Sequence, residues 1–410
     1  MNISQQFSPP LKYVRPYFIA GSIFYLLSMF MLYFIDVSAL NILDPIVVSF
    51  THTFLIAFVM MYIFASSIQI LPVVFESEHK HLDFFKYIWL FITFGVVFMV
   101  VGFLFYSTFI PIGGSIILLA LIFQLYNFFF TIRGSKKNNF SLKTIVASNI
   151  FLFLGVLVGV YMALAHSGLV QTNLLTILPS HIFLLVGGFI FLNIMGVSMV
   201  LLPMFGTTRG FTKVPIKISV FTMSLAILIS LISNFFDYLI LKYLSSFFVI
   251  VSLSIYIYQM FLIYKNRVRK DFDIYIKALM ISALSLVFFL IFFIVYLIKD
   301  DINYLFEALW MMFGGFFAFI IIAHLYRIVP FLVWFHRFSP YIEEKEVPML
   351  HDMYNEQHGL IQLYLSLFGL VFISIGIFLQ NAYIFKAGVC FSIVGSLFLT
   401  YIIAKIFLVK

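Results

Sequence analysis

Twelve apolar stretches, each long enough to cross a bilayer as a helix, divide this chain. They begin near Tyr17, Pro45, Phe85, Phe109, Thr144, Leu175, Ile216, Leu244, Tyr275, Ile302, Leu360 and Tyr383. A membrane helix needs about 20 mostly apolar residues, because the hydrocarbon core is about 30 Å thick. Only 10% of the residues are charged, against roughly 25% in soluble domains. The sequence therefore predicts an all-α integral membrane protein of about twelve transmembrane helices, built as a single polytopic membrane domain over residues 1–410.

The basic residues indicate how this protein is oriented. One set of alternating loops, together with the two termini, holds 21 of the 24 Lys and Arg residues, and the opposite set holds only Lys242, Lys299 and Lys386. Lys and Arg accumulate on the cytoplasmic side of membrane proteins. We therefore expect both termini to be cytoplasmic (N-in/C-in) and the chain to lie in the inner (cytoplasmic) membrane. The net charge of +8 then reflects contact with the lipid bilayer, and no nucleic acid partner is predicted.

Three segments of the chain resemble one another. They are THTFLIAFVMMYIFASSIQILPVVF, SHIFLLVGGFIFLNIMGVSMVLLPMF and LWMMFGGFFAFIIIAHLYRIVPFLVWF, and each is an apolar helix expected to end at a proline: Pro72, Pro203 and Pro330. Fixed spacing of similar segments is the sign of an internal repeat, and here it predicts three pseudo-symmetric groups of four helices, at approximately 17–140, 144–273 and 275–408. The alternative is that prolines are simply tolerated near the ends of membrane helices.

Two histidines occupy matching places in these segments. His52 lies 20 residues before Pro72, and His181 lies 22 before Pro203, so each is roughly 30 Å from its proline along the helix. An ionisable group within a membrane span is a functional-site hypothesis by default, and imidazole is a common ligand of metals and haem. Alternatively, each histidine makes a helix–helix hydrogen bond, with Thr51, Thr53 or Ser180 as partner.

This arrangement resembles the catalytic subunit (subunit I) of haem–copper oxidases and nitric oxide reductases. That family has twelve helices in three groups of four, a haem-ligating histidine at the start of its second helix and a copper-ligating histidine on its sixth. The segment from His52 to Pro72 is similar to the second helix, and His181 takes the position of the copper ligand. The resemblance implies a haem b cofactor at His52, copper as a second metal at His181, and an electron donor or respiratory subunit as partner.

The chain also departs from that family. The place of the haem-binding histidines on the tenth helix is taken by Trp310, the segment from Ile216 to Ile240 has no histidine, and no glutamate follows His181. These departures argue against a proton-pumping oxygen reductase and favour a degenerate relative that acts in redox chemistry or in binding NO or O₂. The chain also resembles, more distantly and in architecture alone, the shorter haem-associated NnrS family.

Further cofactor-binding candidates lie in the same segments. Met311 and Met312 are placed to complete a His/Met haem site, a known mode of ligation, or they are packing residues. His166 ends the fifth helix and is a candidate third metal ligand beside His52 and His181, or a solvated loop residue. His324 and Arg327, three residues apart on one face, are candidates for holding an anionic group such as a haem propionate or a lipid phosphate; the alternative is an interfacial anchor.

Two other classes of function remain open. Twelve helices and internal repeats also describe secondary transporters, although acidic residues at mid-membrane depth are scarce here. An assembly factor or metal chaperone for a respiratory oxidase would keep the fold and lose the chemistry. Whether the chain is an enzyme, as an atypical oxidoreductase, is not decided by its sequence.

Overall fold

The chain folds into long apolar helices, as a computed structural model of residues 7–79, 81–135, 139–234, 236, 238–344 and 346–409 shows. Twelve helices in these ranges are long and apolar enough to cross a membrane. They are α1 Leu11–Phe34, α2 Pro45–Phe75, α3 Leu82–Leu104, α4 Phe109–Arg133, α5 Phe140–His166, α6 Leu174–Gly206, α7 Val214–Ser233, α8 Leu239–Lys265, α9 Ile274–Lys299, α10 Ile302–Arg337, α11 Glu356–Phe378 and α12 Ala382–Ile406. Short 3₁₀ turns at Ser339–Tyr341 and Leu350–Met353 follow α10. The described part of the chain has no β-strand, so the prediction of an all-α, multi-span membrane protein is confirmed.

The helices begin at or shortly before the predicted positions. The largest differences are at α1, which begins at Leu11 rather than near Tyr17, and at α8, which begins at Leu239 rather than near Leu244. Polar residues fix several of these starts, because a side-chain oxygen at the N-cap accepts hydrogen bonds from the first free amides of a helix. Such caps are made by Asp44, Asn139, Asn173, Asp273, Asp301, Asn355 and Asn381.

The helices α2, α6 and α10 differ from the rest in length and burial. They contain 31, 33 and 36 residues, and 67, 78 and 78% of their most apolar stretch is buried, against 28–50% in the other nine spans found in the described ranges. The expectation that each ends at its proline is wrong. The helices continue to Phe75, Gly206 and Arg337, because a proline removes one backbone hydrogen bond without ending a helix whose neighbours hold it in place.

The contacts within the chain define two compact units. The first comprises residues 1–71, 82–96 and 271–410, and the second comprises residues 72–81 and 97–270. The first unit thus contains α1, α2 and α9 to α12, and the second contains α4 to α8. The division into three four-helix groups stays a prediction.

Within each unit, small and polar residues let helices approach closely. In the first unit α11 packs on α12 where an added Cβ at Gly376 would lie 2.5 Å from the Cα of Phe385. In the second unit α7 and α8 exchange hydrogen bonds, since Ser219 Oγ donates to the Ser252 carbonyl (2.8 Å) and Ser252 Oγ donates to the Ser219 carbonyl (2.7 Å). Small residues and interhelical hydroxyl bonds are the usual means of joining helices in a bilayer.

Candidate functional site

Each of α2, α6 and α10 contains one stretch of π-helix, in which backbone hydrogen bonds span five residues instead of four. These stretches are Thr53–Met60, Phe183–Phe191 and Met311–Phe317. They begin 19, 20 and 19 residues before Pro72, Pro203 and Pro330. π-helix is rare and is frequently found at functional sites. The candidate site residues His52, His181, Met311 and Met312 all lie at or just before the start of these stretches.

His52 immediately precedes the π-helical stretch of α2. Its Nδ1 lies 2.8 Å from the backbone carbonyl of Val48, one turn earlier on the same helix. A carbonyl oxygen only accepts hydrogen bonds, so Nδ1 carries the proton and donates, and Nε2 of the neutral ring carries the lone pair. Imidazoles that bind metals almost always donate their other ring N–H in this way. The tautomer of His52 therefore suits ligation through Nε2.

Two buried hydroxyl groups flank His52. The side chains of Ser49 and Thr53 are 0% and 2% exposed, and Ser49 Oγ and Thr53 Oγ1 have no hydrogen-bond partner. Leaving a buried polar atom unsatisfied costs about 1–3 kcal/mol, and such atoms in native proteins usually have an explanation such as a bound molecule. Because Ser49 and Thr53 are four residues apart, they share the face of α2 next to His52. These unsatisfied atoms fit a site that takes a polar ligand group.

The start of the π-helical stretch of α10, which contains both methionines, packs against this part of α2 through Phe313, in the same unit. The rings of Phe54 on α2 and Phe313 on α10 stack with centroids 5.6 Å apart and an interplanar angle of 13°. Met311 and Met312 are the residues just before Phe313, and they are 7% and 4% exposed. The structure thus brings the starts of the two π-helical stretches together and places both thioethers in a buried environment, as either haem ligation or packing requires.

His181 contacts the neighbouring helix α5 in the second unit. Its Nδ1 donates to the backbone carbonyl of Gly155 (3.1 Å), so Nε2 again carries the lone pair. An added Cβ at Gly159 would lie 2.7 Å from Cε1 of the imidazole. Gly159 therefore leaves the space that the ring occupies, and the backbone carbonyl of Gly155 accepts its hydrogen bond. The four-residue spacing of these glycines is a sequence signal for such a contact, and sequence reasoning missed it.

The proposed third metal ligand, His166, is exposed at the end of α5 and packs edge-on against Phe103 at 6.0 Å. Gly159, against which His181 packs, lies two turns earlier on that helix, so the two imidazoles occupy different levels of α5. His52 belongs to the first unit and His181 to the second. Among the residues that the structure describes, no three His, Cys, Asp or Glu side chains form a group suited to a metal ion.

Trp310 occupies the place in α10 that His52 has in α2. Its indole Nε1 donates to the backbone carbonyl of Leu370 on α11 (2.9 Å). An added Cβ at Gly314 would lie 2.5 Å from Cη2 of the indole ring, so this glycine makes room for the indole. In α2, α6 and α10 alike, a ring N–H just before the π-helical stretch thus donates to a backbone carbonyl.

His324 and Arg327 lie together at the other end of α10. Both contact Tyr275 of α9: the ring of His324 packs edge-on at 5.6 Å, and the guanidinium lies over the tyrosine at 5.4 Å. Arg327 is also paired with Asp273, the N-cap of α9. Burial raises the pKa of Tyr354, which packs nearby on Tyr326, to about 12. The carboxylate of Asp273 is already paired with the guanidinium of Arg327, so a haem propionate would have to share that guanidinium with it.

Sequence reasoning missed Glu307 of α10. Its side chain is 1% exposed; Oε2 accepts a hydrogen bond from Ser374 Oγ of α11 (2.8 Å), and Oε1 is buried without a hydrogen-bond partner. Glu307 is four residues before the π-helical stretch, at the position that Ser49 has in α2. The residue was overlooked because the apolar residues around it dominate the pattern of the span.

No protein-family model matches the chain, and no curated protein matches it.

Proposed function

We propose that this chain is a haem-binding, multi-pass membrane protein related in architecture to the catalytic subunit of haem–copper oxidases. Its role would be electron transfer or the binding of a small gas such as NO or O₂, without proton pumping. The proposal rests on the environment of the His52 side chain. An imidazole with its Nδ1–H donated to a carbonyl stands beside two unsatisfied buried hydroxyls at the start of a π-helical stretch.

In this proposal Nε2 of His52 would hold haem b. The haem would supply one-electron chemistry and an iron able to bind a gas. Met311 or Met312, buried on the adjoining helix, would be the second residue to hold the haem, or both methionines would line the space beside it. Phe54 and Phe313, stacked between α2 and α10, would exclude water from the group. His181 would be the ligand for a second metal, with copper as the candidate, whereas His166 lies at a different level of α5 and does not complete that site.

The cellular setting belongs to the same proposal. The excess of Lys and Arg on one side supports an inner (cytoplasmic) membrane location with both termini in the cytoplasm. An electron donor or respiratory subunit would be the protein partner. His324 and Arg327, which lie at the end of α10 toward the basic side, would face the cytoplasm.

A reduced-minus-oxidised visible spectrum of the detergent-purified protein tests the proposal, with iron and copper measured in the same sample. We expect a haem band and about one iron per chain. A colourless, iron-free preparation from haem-replete cells would refute haem binding. Copper without haem would support the metal-chaperone alternative.

Proton-coupled secondary transport is the second candidate function, and Glu307 is the observation that favours it. Ionisable residues buried within membrane spans often mark proton or substrate pathways. Twelve apolar helices, found in the described part of the chain, are also a common architecture of secondary transporters. Uptake of protons by proteoliposomes, lost in Glu307→Gln, would support transport; a haem band with no proton flux would exclude it.

A further inference from the structure

The first unit has a basic pocket where three helices end on the same side. Its cavity of about 550 Å³ is lined mainly by Arg15 of α1, His336 and Arg337 of α10, and Phe338, Phe407 and Leu408. None of its lining residues is acidic. The pocket lies on the side that holds 21 of the 24 basic residues, and it is separate from the region around His52.

Arg337 is held in place at the bottom of this pocket. It donates to two carbonyl oxygens just past the end of α12, through Nη2 to Phe407 (2.9 Å) and through Nη1 to Val409. Phe407 is the C-cap of α12, and carbonyls at the end of a helix carry partial negative charge and have no partner within the helix. These bonds orient the guanidinium plane and use two of its five N–H groups, so three donors remain for other partners.

The segment before α1 positions His336. Ser8 Oγ lies 3.4 Å from His336 Nε2, and Gln69 Nε2 donates to Ser8 Oγ (2.7 Å). This chain of hydrogen bonds ties the N-terminal segment to α2 and α10 beside the pocket. Arg15, in contrast, is exposed in the first turns of α1, so its guanidinium can turn toward a ligand without breaking a contact that the fold requires.

We infer that this pocket binds the phosphate group of an anionic glycerophospholipid such as phosphatidylglycerol. Guanidinium groups bind phosphate oxygens by paired, charge-assisted hydrogen bonds, and two of them face a cavity without acids. Phe338 and Phe407 supply an apolar wall, and Leu408, 65% exposed, extends that wall at the end of α12. A lipid, unlike free phosphate, has a glycerol backbone and acyl chains to cover such a wall.

Native mass spectrometry of the full-length protein in a neutral detergent tests this inference. The probes are phosphatidylglycerol, phosphatidylcholine and inorganic phosphate. We expect one phosphatidylglycerol to be retained per chain and to bind at least about tenfold more tightly than phosphatidylcholine. Arg15→Gln should weaken phosphatidylglycerol binding about tenfold, the effect of removing one charge-assisted interaction. Lys12→Gln is the matched control, because Lys12 is exposed on the same helix but does not line the pocket.

Three other results would contradict the binding of an anionic phospholipid in this pocket. Equal affinity for the two phospholipids would show that only the apolar wall binds. Displacement of phosphatidylglycerol by millimolar inorganic phosphate, with equal thermal stabilisation by both, would assign the pocket to free phosphate. An equal loss of phosphatidylglycerol affinity in Arg15→Gln and Lys12→Gln would show that the effect comes from overall positive charge and not from this pocket. If Arg15→Gln does not insert, Arg15→Lys replaces it; lysine keeps the charge but cannot make the paired hydrogen bonds to phosphate, so phosphatidylglycerol binding should still weaken.

Discussion

Gly159 on α5 leaves the space that the imidazole of His181 on α6 occupies: an added Cβ would lie 2.7 Å from Cε1 of the ring. The same imidazole donates to the carbonyl of Gly155, one turn earlier on α5. The position of the His181 ring therefore depends on Gly159, and its tautomer on the backbone carbonyl of Gly155. This dependence can be tested without changing the histidine itself.

Replacing Gly159 by alanine should displace the imidazole. The added methyl cannot fit at 2.7 Å from the ring, so either the ring or α5 must move, and overpacking of this kind costs about 1–3 kcal/mol. We expect a lower midpoint of thermal unfolding in detergent, and weaker binding of any copper that His181 holds. Thermal unfolding followed by circular dichroism, with metal analysis of the same sample, measures both.

Gly114→Ala is the matched control for that substitution. Gly114 of α4 also faces α5, but an added Cβ there would meet Val160 Cγ2 at 3.6 Å, which is ordinary van der Waals contact. Alanine in a helix is favoured over glycine by roughly 0.5–1 kcal/mol, so Gly114→Ala should be neutral or slightly stabilising. If both variants unfold at the same temperature as the wild type, the close packing of His181 on Gly159 is wrong.

The haem proposal predicts the behaviour of His52→Ala. The chain should still insert and remain folded, since the hydrogen bond from Nδ1 of His52 stays within its own helix, but the reduced-minus-oxidised haem band should disappear. Absorbance of the purified variant, normalised to protein, is the measurement. His351→Ala serves as control because His351 is exposed in the loop before α11, and it should keep the band. An unchanged band in His52→Ala would remove His52 from the site.

Much of the fold could be predicted because membrane spans depend on long apolar runs. The start of α2 at Pro45 and the start of α10 at Ile302 were predicted to the residue. The π-helical stretches could not be predicted, since TFLIAFVM reads as ordinary apolar helix and its hydrogen-bond pattern is set by the packing around it. Packing against neighbouring helices is also why the helices continue past Pro72, Pro203 and Pro330.

The candidate site was predicted in part. The positions of His52 and His181 follow from counting back from the prolines, but their hydrogen-bond partners do not. Thr51 and Ser180 were among the partners expected if the histidines only join helices, whereas Thr51 donates to its own helix at Val47 and Ser180 donates to Ser230 on α7. Partners on other helices, such as Gly155 for His181, depend on which spans are neighbours, and one sequence does not specify this.

The pair of Arg327 and Asp273 predicts a specific loss of stability. Both side chains are about a quarter exposed, 25% and 26%, and Arg327 Nε is buried without a partner. Asp273→Asn keeps an N-cap for α9 but removes the charge that Arg327 needs. A hydrogen bond to a charged group is worth about 1.5–3 kcal/mol, and partial exposure places the expected loss near the lower value. Thermal unfolding in detergent measures it.

Asp44→Asn is the control for Asp273→Asn. Asp44 caps α2 in the same way, accepting from the amides of Ile46 (2.8 Å) and Val47 (3.3 Å), and asparagine caps a helix as well as aspartate does. The control should therefore unfold close to the wild type. Equal destabilisation in both variants would assign the effect to capping and not to the ion pair.

The last prediction concerns whether the carboxyl group of Glu307 is neutral or charged. An ionised carboxylate that is 1% exposed, with one oxygen bonded to Ser374 and the other unpartnered, is strongly disfavoured in an apolar interior. The neutral acid fits better, because it is uncharged and still accepts from Ser374. We therefore expect a carboxylic-acid C=O band in the infrared spectrum at neutral pH that is absent in Glu307→Gln.

Two features of the chain make this infrared band assignable. The other acidic side chains of the described spans, Asp83 and Glu356, lie exposed in the first turns of their helices, so they contribute carboxylate bands at neutral pH. Ser374→Ala should shift the acid band by removing its hydrogen bond, while the amide of Glu307→Gln should preserve folding. A wild-type spectrum without an acid C=O band would show that Glu307 is ionised, and a cation bound at Oε1 would then have to be sought.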